Sequence, residues 1–184
     1  MSTKMIKVED LSFSYGRRKT KVLDGFSMSL NKGSVYGLLG KNGTGKSTLL
    51  YLMAGLLRPQ TGKVYYKGVD VTLRKPTTLQ DMFLVPEEFA LPNVSMKQYV
   101  KLNAPFYPHF SDELLKACLR DFDMNVDIHL GELSMGQKKK AFMCFALATN
   151  TSLLMMDEPS NGLDIPSKSQ FRKVIASGMT DDKA

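Results

Sequence analysis

Apolar and polar residues alternate in two early segments of the chain, which is the pattern of a strand with one buried face. Residues 5–13 and 26–30 carry this pattern, and a turn rich in polar residues and glycine follows at residues 31–33. A third strand is predicted at residues 63–68, between two glycines. The pattern therefore predicts an antiparallel sheet in the first part of the chain.

Three short apolar runs lack this alternation and are typical of strands buried on both faces of a parallel sheet. They lie at residues 34–39, 82–85 and 151–156. Helical spacing separates them, so the order of elements predicts an α/β fold. The predicted helices are residues 49–54, 96–102, 111–122 and about 134–148.

Length and composition indicate one globular domain. The chain has 184 residues, of which 43% are hydrophobic and 23% charged. A formal net charge of +7 is consistent either with an anionic partner or with a solvated basic surface. Short basic clusters at residues 17–19 and 138–140 are also consistent with a solvated basic surface.

Two cysteines and the longest apolar stretch bear on the cellular compartment. Cys118 and Cys144 lie in separate helix-like segments, so we expect buried free thiols in a reducing environment. The apolar stretch at residues 141–156 is interrupted by four polar residues and is not expected to span a bilayer. Any membrane role is therefore expected to be peripheral.

A glycine-rich loop follows the apolar run at residues 34–39. The pattern is Gly, four residues, then Gly-Lys-Ser, and it predicts a loop whose backbone N–H groups surround a phosphate. A helix directly after the loop would direct its positive dipole end at the same phosphate. In this interpretation Lys46 contacts the β- and γ-phosphates and Ser47 is a Mg²⁺ ligand; the alternative is a plain glycine turn between strand and helix. The loop comprises Gly40, Lys41, Asn42, Gly43, Thr44, Gly45, Lys46, Ser47 and Thr48.

Two adjacent carboxylates end the apolar run at residues 151–156. Burying Asp157 and Glu158 unpaired would be costly, so a cation is the natural partner. Asp157 fits a metal contact, direct or through water, and Glu158 fits a general base that deprotonates an attacking water. A surface turn is the alternative.

Two further residues have both a functional and a structural interpretation. Tyr15 lies in a loop, where its ring either stacks on a nucleotide base or packs partly exposed against the protein. Ser134 is well placed as the N-cap of the following helix, which alone would explain it.

Taken together, these motifs resemble the nucleotide-binding domain of ABC transporters. The sequence Leu-Ser-Met-Gly-Gln at residues 133–137, one helix before the apolar run and its two carboxylates, carries the resemblance together with the glycine-rich loop. Residues 105–110 and the glutamates after Pro86 are most similar to bacterial ATPases that serve ABC-2-type exporters.

The resemblance implies a fold and its division. The fold is a P-loop NTPase (RecA-like) core with an N-terminal antiparallel β-subdomain and a helical insertion, with the carboxyl-terminal part missing. Residues 1–184 then form one nucleotide-binding domain, in which residues 1–93 and 131–184 form the β-subdomain and core. Residues 94–130 form the helical subdomain.

Site roles are also implied by the resemblance. Residues 40–48 match the Walker A loop and residues 153–157 the Walker B strand, with Glu158 as catalytic glutamate. Tyr15 matches the aromatic residue that stacks on adenine, and residues 160–164 match a loop that crosses the dimer interface. The signature motif, which contacts ATP held by the opposite subunit, comprises Ser134, Met135, Gly136 and Gln137.

The implied function is ATP hydrolysis that drives a separate integral membrane permease, with export as the expected direction. ATP and Mg²⁺ are the expected ligands, and a second nucleotide-binding domain is expected as an ATP-dependent dimer partner, in a homodimer. We expect a cytoplasmic protein on the inner face of the cell membrane, with no nucleic acid bound. The alternatives are a nucleotide-binding module that does not hydrolyse ATP and a soluble ABC ATPase that acts on nucleic acid.

Three features depart from the family pattern. Met135 replaces the first glycine of the signature, and Glu87 replaces a glutamine that contacts Mg²⁺, although a carboxylate is also a suitable ligand. Relatives continue after residues 175–176 into a strand with a γ-phosphate-binding histidine, which this sequence does not contain. His109 and His129 lie in the helical insertion and are expected to be surface or packing residues.

Overall fold

A computed structural model describes residues 4–16, 20–178 and 183. Three short 3₁₀ turns, Val71–Leu73, Ala104–Phe106 and Leu130–Glu132, join its regular elements. The strands are β1 Lys4–Phe13, β2 Leu23–Asn31, β3 Thr61–Tyr66, β4 Val69–Asp70, β5 Met82–Val85 and β6 Leu153–Met156. The helices are α1 Lys46–Met53, α2 Pro76–Leu79, α3 Met96–Asn103, α4 Asp112–Asp121, α5 Met135–Ala148 and α6 Ile165–Gly178.

An antiparallel sheet with strand order β2-β1-β3-β4 forms the first layer. In β1, Ile6 and Val8 are buried while Lys7 faces solvent, as the alternating pattern predicts. Leu11 is also buried, because the register of β1 against β2 shifts between Val8 and Leu11. The buried face packs against Leu49 and other apolar residues of α1, so sheet and helix share one core. The predicted antiparallel pairing of the first two strands is confirmed.

A parallel pair, β5 and β6, forms the second sheet. The pairing runs from Met82 opposite Leu153 to Val85 opposite Met156, so both strands end at the same edge. The backbone N–H of Asp157 then donates to the Val85 carbonyl at 2.9 Å, which extends the pairing by one bond. Residues after each strand are thereby held side by side.

The prediction of a strand at residues 34–39 is wrong. The segment has no regular structure, and the side chains of Val35 and Leu39 are 68% and 93% exposed. Its apolar composition suits a buried strand, yet a strand also requires a hydrogen-bonded neighbour. Among the described residues, β6 pairs with β5 and with no other strand. The segment is instead tied by the N–H of Asn31, which donates to the Tyr36 hydroxyl at 2.9 Å.

Helices cover the parallel pair and form the second core. The predicted helices around α3, α4 and α5 are confirmed, and α4 packs on α5 through Leu115, Cys118 and Leu119. The division of the chain at residues 94 and 130 stays a prediction. Among the described residues, no helix combines the length and the apolarity that crossing a membrane requires.

The cysteines and histidines lie where the sequence predicts. Cys118 and Cys144 are free thiols, and both are buried between α4 and α5. Burial raises the pKa of the Cys144 thiol, and its contact with Cys118 raises it further. His109 and His129 are exposed.

One carboxylate, Asp81, joins the two sheets. It accepts hydrogen bonds from the Tyr66 hydroxyl at 2.6 Å and the Lys67 ammonium at 2.7 Å, both at the end of β3. Ser152, just before β6, donates to the other carboxylate oxygen through its hydroxyl at 2.8 Å. Burial alone would raise the pKa of Asp81, but the bonds from Lys67, Tyr66 and Ser152 outweigh it and hold the pKa below its usual value.

We predict that Asp81→Asn lowers the free energy of unfolding at pH 7 by about 1–2 kcal/mol, because the charge-assisted bonds from both sheets are weakened. Since the folded pKa is depressed, the stabilisation by Asp81 is complete above the unfolded pKa of ~3.9 and is lost as the pH falls through the folded value. Urea unfolding at pH 7 and at about pH 3 measures both effects.

The matched control is Asp127→Asn, at an exposed carboxylate. It should leave unfolding nearly unchanged at both pH values. Equal stability of Asp81→Asn and wild type at pH 7 would contradict the role of Asp81 as a link.

Candidate functional site

The glycine-rich loop ends where α1 begins. Gly45 precedes the helix with a left-handed backbone, φ 92°, and no side chain caps the first turn of α1. A Cβ atom at Gly45 would lie 2.8 Å from Val22 Cγ1, so both the backbone angle and the space require glycine. The N–H groups of the first turn are therefore available to an anion at a helix N-terminus.

Lys46 folds back over this loop. Its ammonium donates to the carbonyl of Gly40 at 2.9 Å and to that of Lys41 at 3.2 Å. The Thr44 hydroxyl also donates to the Lys41 carbonyl, at 2.8 Å. These bonds bend residues 40–46 into a closed turn with a cation at its centre, which is a suitable site for a phosphate.

Tyr15 lies against the same helix. Its hydroxyl is 3.1 Å from the Thr48 hydroxyl, and its ring meets the edge of Phe13 at 4.9 Å between centroids. The Tyr15 side chain remains 46% exposed. It is thus anchored beside α1 with part of the ring open to a ligand.

A cavity of about 470 Å³ brings the loop and the carboxylates together. Lys46 lines it from one side, and Asp157 and Glu158 line it from the end of β6. Burial raises the pKa of the Tyr51 hydroxyl on α1, and the negative charge of Asp157 raises it further. The predicted cation and the predicted acids therefore face one space.

The turn after β6 has a strained backbone. Glu158 has φ 43°, in the left-handed region that non-glycine residues rarely adopt. Two contacts support this turn: the Lys139 ammonium donates to the carbonyls of Glu158 and Asn161, each at 3.0 Å. The Asn161 amide in turn donates to the Glu87 carboxylate at 3.0 Å.

The predicted metal ligands are oxygen donors of the kind that Mg²⁺ prefers. Asp157 is 4% exposed and lies at the cavity, and Glu87 is held beside the turn by Asn161. Among the described residues, no group of three or more His, Cys, Asp or Glu side chains is placed to hold a metal. The assignment of Ser47, Asp157 and Glu87 as ligands stays a prediction.

The residues of the signature motif lie at the start of α5. Ser134 caps the helix reciprocally with Gln137: the Gln137 N–H donates to the Ser134 hydroxyl at 3.3 Å, and the Ser134 N–H donates to the Gln137 side chain at 3.0 Å. Met135 is 66% exposed. A Cβ atom at Gly136 would lie 3.4 Å from the Gly162 carbonyl oxygen, so α5 approaches the turn after β6 closely. None of the four residues lines the cavity.

Sequence analysis missed Lys139, which it included in a solvated basic cluster. Lys139 is only 7% exposed, whereas its neighbours Lys138 and Lys140 are partly exposed. Helical geometry gave a signal, because Lys139 lies on the same face as Gly136 and the buried Met143. Asn161 was predicted only as part of the loop at residues 160–164, and the sequence around it gives no signal for its bond to Glu87.

Comparison with known proteins agrees with this geometry. Residues 23–161 match the family model described as ABC transporter. The chain is 30% identical to the methionine import ATP-binding protein MetN of Carboxydothermus hydrogenoformans, over 94% of the chain and 54% of that protein. It is 29% identical to the lantibiotic transport ATP-binding protein SrtF of Streptococcus pyogenes, over 96% of the chain and 77% of that protein. The chain thus spans about half the length of the first of these relatives.

A solved structure has the same fold. The putative ABC transporter ATP-binding protein from Pyrococcus furiosus superposes with a TM-score of 0.81 and 28% sequence identity, over 97% of the chain and 87% of that protein. The family model covers well over half of the chain, and it includes the glycine-rich loop, residues 133–137 and the carboxylates after β6. The chain belongs to the ABC transporter family, and its fold is that of the family's ATP-binding domain.

Proposed function

We propose that this chain binds ATP with Mg²⁺ and hydrolyses it as the ATP-binding subunit of a transporter, driving a separate membrane permease. The observation that supports this best is the cavity where Lys46 faces Asp157 and Glu158. Export is the direction that we propose from the residues at positions 105–110 and the glutamates after Pro86; the relatives include both an import protein and a lantibiotic transport protein. The complex would lie on the cytoplasmic face of the membrane.

The closed turn of residues 40–46 would hold the phosphates. Backbone N–H groups at the start of α1 donate to phosphate oxygens, and Lys46 exchanges its bonds to the Gly40 and Lys41 carbonyls for bonds to the β- and γ-phosphates. Tyr15 provides a ring face for adenine. This part of the site positions the nucleotide and neutralises its charge.

The carboxylates after β6 would act on the γ-phosphate and its attacking water. Ser47, Asp157 and Glu87 supply the oxygen ligands that suit Mg²⁺, and the ion, when bound, neutralises charge on the phosphates. Glu158 accepts the proton of the attacking water. The strained turn fixes the backbone of Glu158 and therefore the direction of its side chain.

A second copy of the chain would complete the site. Ser134, Gly136 and Gln137 lie outside the cavity of their own chain, at an exposed helix N-terminus that suits a phosphate held by a partner. We therefore propose an ATP-dependent, head-to-tail homodimer with two nucleotides between the subunits.

We predict that Glu158→Gln lowers ATP turnover by about 10²–10⁴-fold, because glutamine cannot accept a proton. Affinity for a fluorescent ATP analogue should stay nearly unchanged. Phosphate release and fluorescence titration measure the two quantities. Wild type that binds the analogue without hydrolysing it would reduce the proposal to a nucleotide-binding module.

We predict that Tyr15→Ala weakens binding of the ATP analogue by about tenfold, since stacking on one base contributes ~1–3 kcal/mol. Tyr15→Phe is the matched control: it loses the bond to Thr48 but keeps the ring, and it should bind within about threefold of wild type. Equal losses for both variants would assign the effect to the hydroxyl and contradict stacking.

We predict that the Glu158→Gln variant dimerises when MgATP is added, because nucleotide accumulates unhydrolysed between the two subunits. Light scattering should show a doubled mass that depends on nucleotide. Lys46→Ala, introduced into the same variant, removes the phosphate contact and should keep it monomeric. A monomer under saturating MgATP would contradict the proposed composite site.

A further inference from the structure

Lys139 is a buried cation in an unusual position. Its side chain is 7% exposed and leaves α5 on the face that meets the turn after β6. Burying an ammonium group is costly unless it is paired or fully hydrogen-bonded. An apolar residue would avoid this cost, so the contacts that the ammonium group makes must account for a lysine at this position.

The contacts of Lys139 are with backbone rather than with a carboxylate. The ammonium donates to the carbonyl oxygens of Glu158 and Asn161, each at 3.0 Å. These two carbonyls bracket the strained part of the turn, which begins with the left-handed Glu158. The Lys139 ammonium therefore contacts both ends of residues 158–161, in addition to the backbone bond from the Asn161 N–H to the Glu158 carbonyl at 3.1 Å.

The charges of three carboxylates act on the same ammonium group. Burial lowers the pKa of Lys139, while the charges of Glu87, Glu158 and Asp157 act in the opposite direction and favour the protonated form. Asn161 extends the contact, since its side-chain amide donates to Glu87 while its carbonyl accepts from Lys139. The helix α5, the turn after β6 and the loop after β5 are thus joined through one lysine and one asparagine.

We propose that Lys139 is a positioning residue that holds the turn at residues 158–161 and thereby directs the Glu158 side chain towards the attacking water. The proposal rests on the proposed ATPase function. Lys139 does not touch the nucleotide in this view and acts through the backbone of Glu158. It also connects the start of α5, which carries the signature residues, to the carboxylates of its own subunit.

The first test is Lys139→Met, which keeps the length of the apolar stem and removes the donors. Turnover at saturating MgATP should fall by about tenfold or more, because a displacement of ~1 Å at a catalytic group costs up to 10²-fold. Affinity for the fluorescent ATP analogue should change by less than about twofold. Lys138→Met, at the partly exposed neighbour, removes the same charge and should match wild type.

The second test distinguishes positioning of Glu158 from a general structural role. In a Glu158→Gln background, Lys139→Met should lower the residual turnover by less than about twofold, because the group that it positions is already absent. A loss of equal size in both backgrounds would overturn the proposal.

The third test does not depend on hydrolysis. Hydrogen exchange of a peptide covering residues 157–163 should be at least about fivefold faster in Lys139→Met than in wild type or Lys138→Met, with peptides of β1 and β3 unchanged. Unchanged exchange in residues 157–163 would overturn the proposal, whether or not the wild type hydrolyses ATP. If the wild type binds ATP but does not hydrolyse it, faster exchange in Lys139→Met would leave Lys139 as the support of the turn and reject only the ATPase function.

Discussion

The parallel pairing of β5 and β6 is the constraint on which the site depends. Four residue pairs in register, from Met82 with Leu153 to Val85 with Met156, bring the ends of two strands to one edge. The carboxylates of Asp157 and Glu158 follow one strand, and Glu87 follows the other. Because Asp81 ties β3 to Ser152, the antiparallel sheet that carries α1 on its face is joined to this pair. The helix after the glycine-rich loop and the acids therefore reach one cavity from different layers.

Backbone carbonyl groups, as well as charged side chains, determine the electrostatics at this edge of the parallel pair. Three carboxylates lie just after the ends of β5 and β6, and polar groups of the described residues lie near them. Lys139 is buried and donates to backbone carbonyls, and Asn161 donates to Glu87. The Lys46 ammonium is held by carbonyls of the glycine-rich loop. Neither Lys139 nor Lys46 forms a direct ion pair with Asp157 or Glu158 among the described residues. The roles proposed for these two acids, as a metal ligand and as a base, require oxygens that a metal ion or a water molecule can reach.

Most helices and strands could be predicted from the sequence pattern, because interactions between residues close together in the chain determine them. Alternation predicted β1 and β2, and Ser134 predicted a helix start, which the structure shows as a reciprocal cap between Ser134 and Gln137. The glycine-rich pattern predicted backbone angles that only glycine adopts easily, and Gly45 has such an angle. These features depend on residues within a few positions of each other, so a sequence displays them directly. The roles of Tyr15, the signature residues and the metal ligands stay predictions, since they depend on molecules outside the chain.

The prediction of a strand at residues 34–39 was wrong because a strand needs a hydrogen-bonded neighbouring strand. The apolar composition of the segment does not reveal whether such a neighbour is present. Its exposed apolar side chains have a thermodynamic consequence. Val35 and Leu39 keep apolar surface in water next to the glycine-rich loop. Any nucleotide or partner that covers these side chains will associate with a negative heat-capacity change. The temperature dependence of the binding enthalpy would therefore report how much of this apolar surface becomes covered.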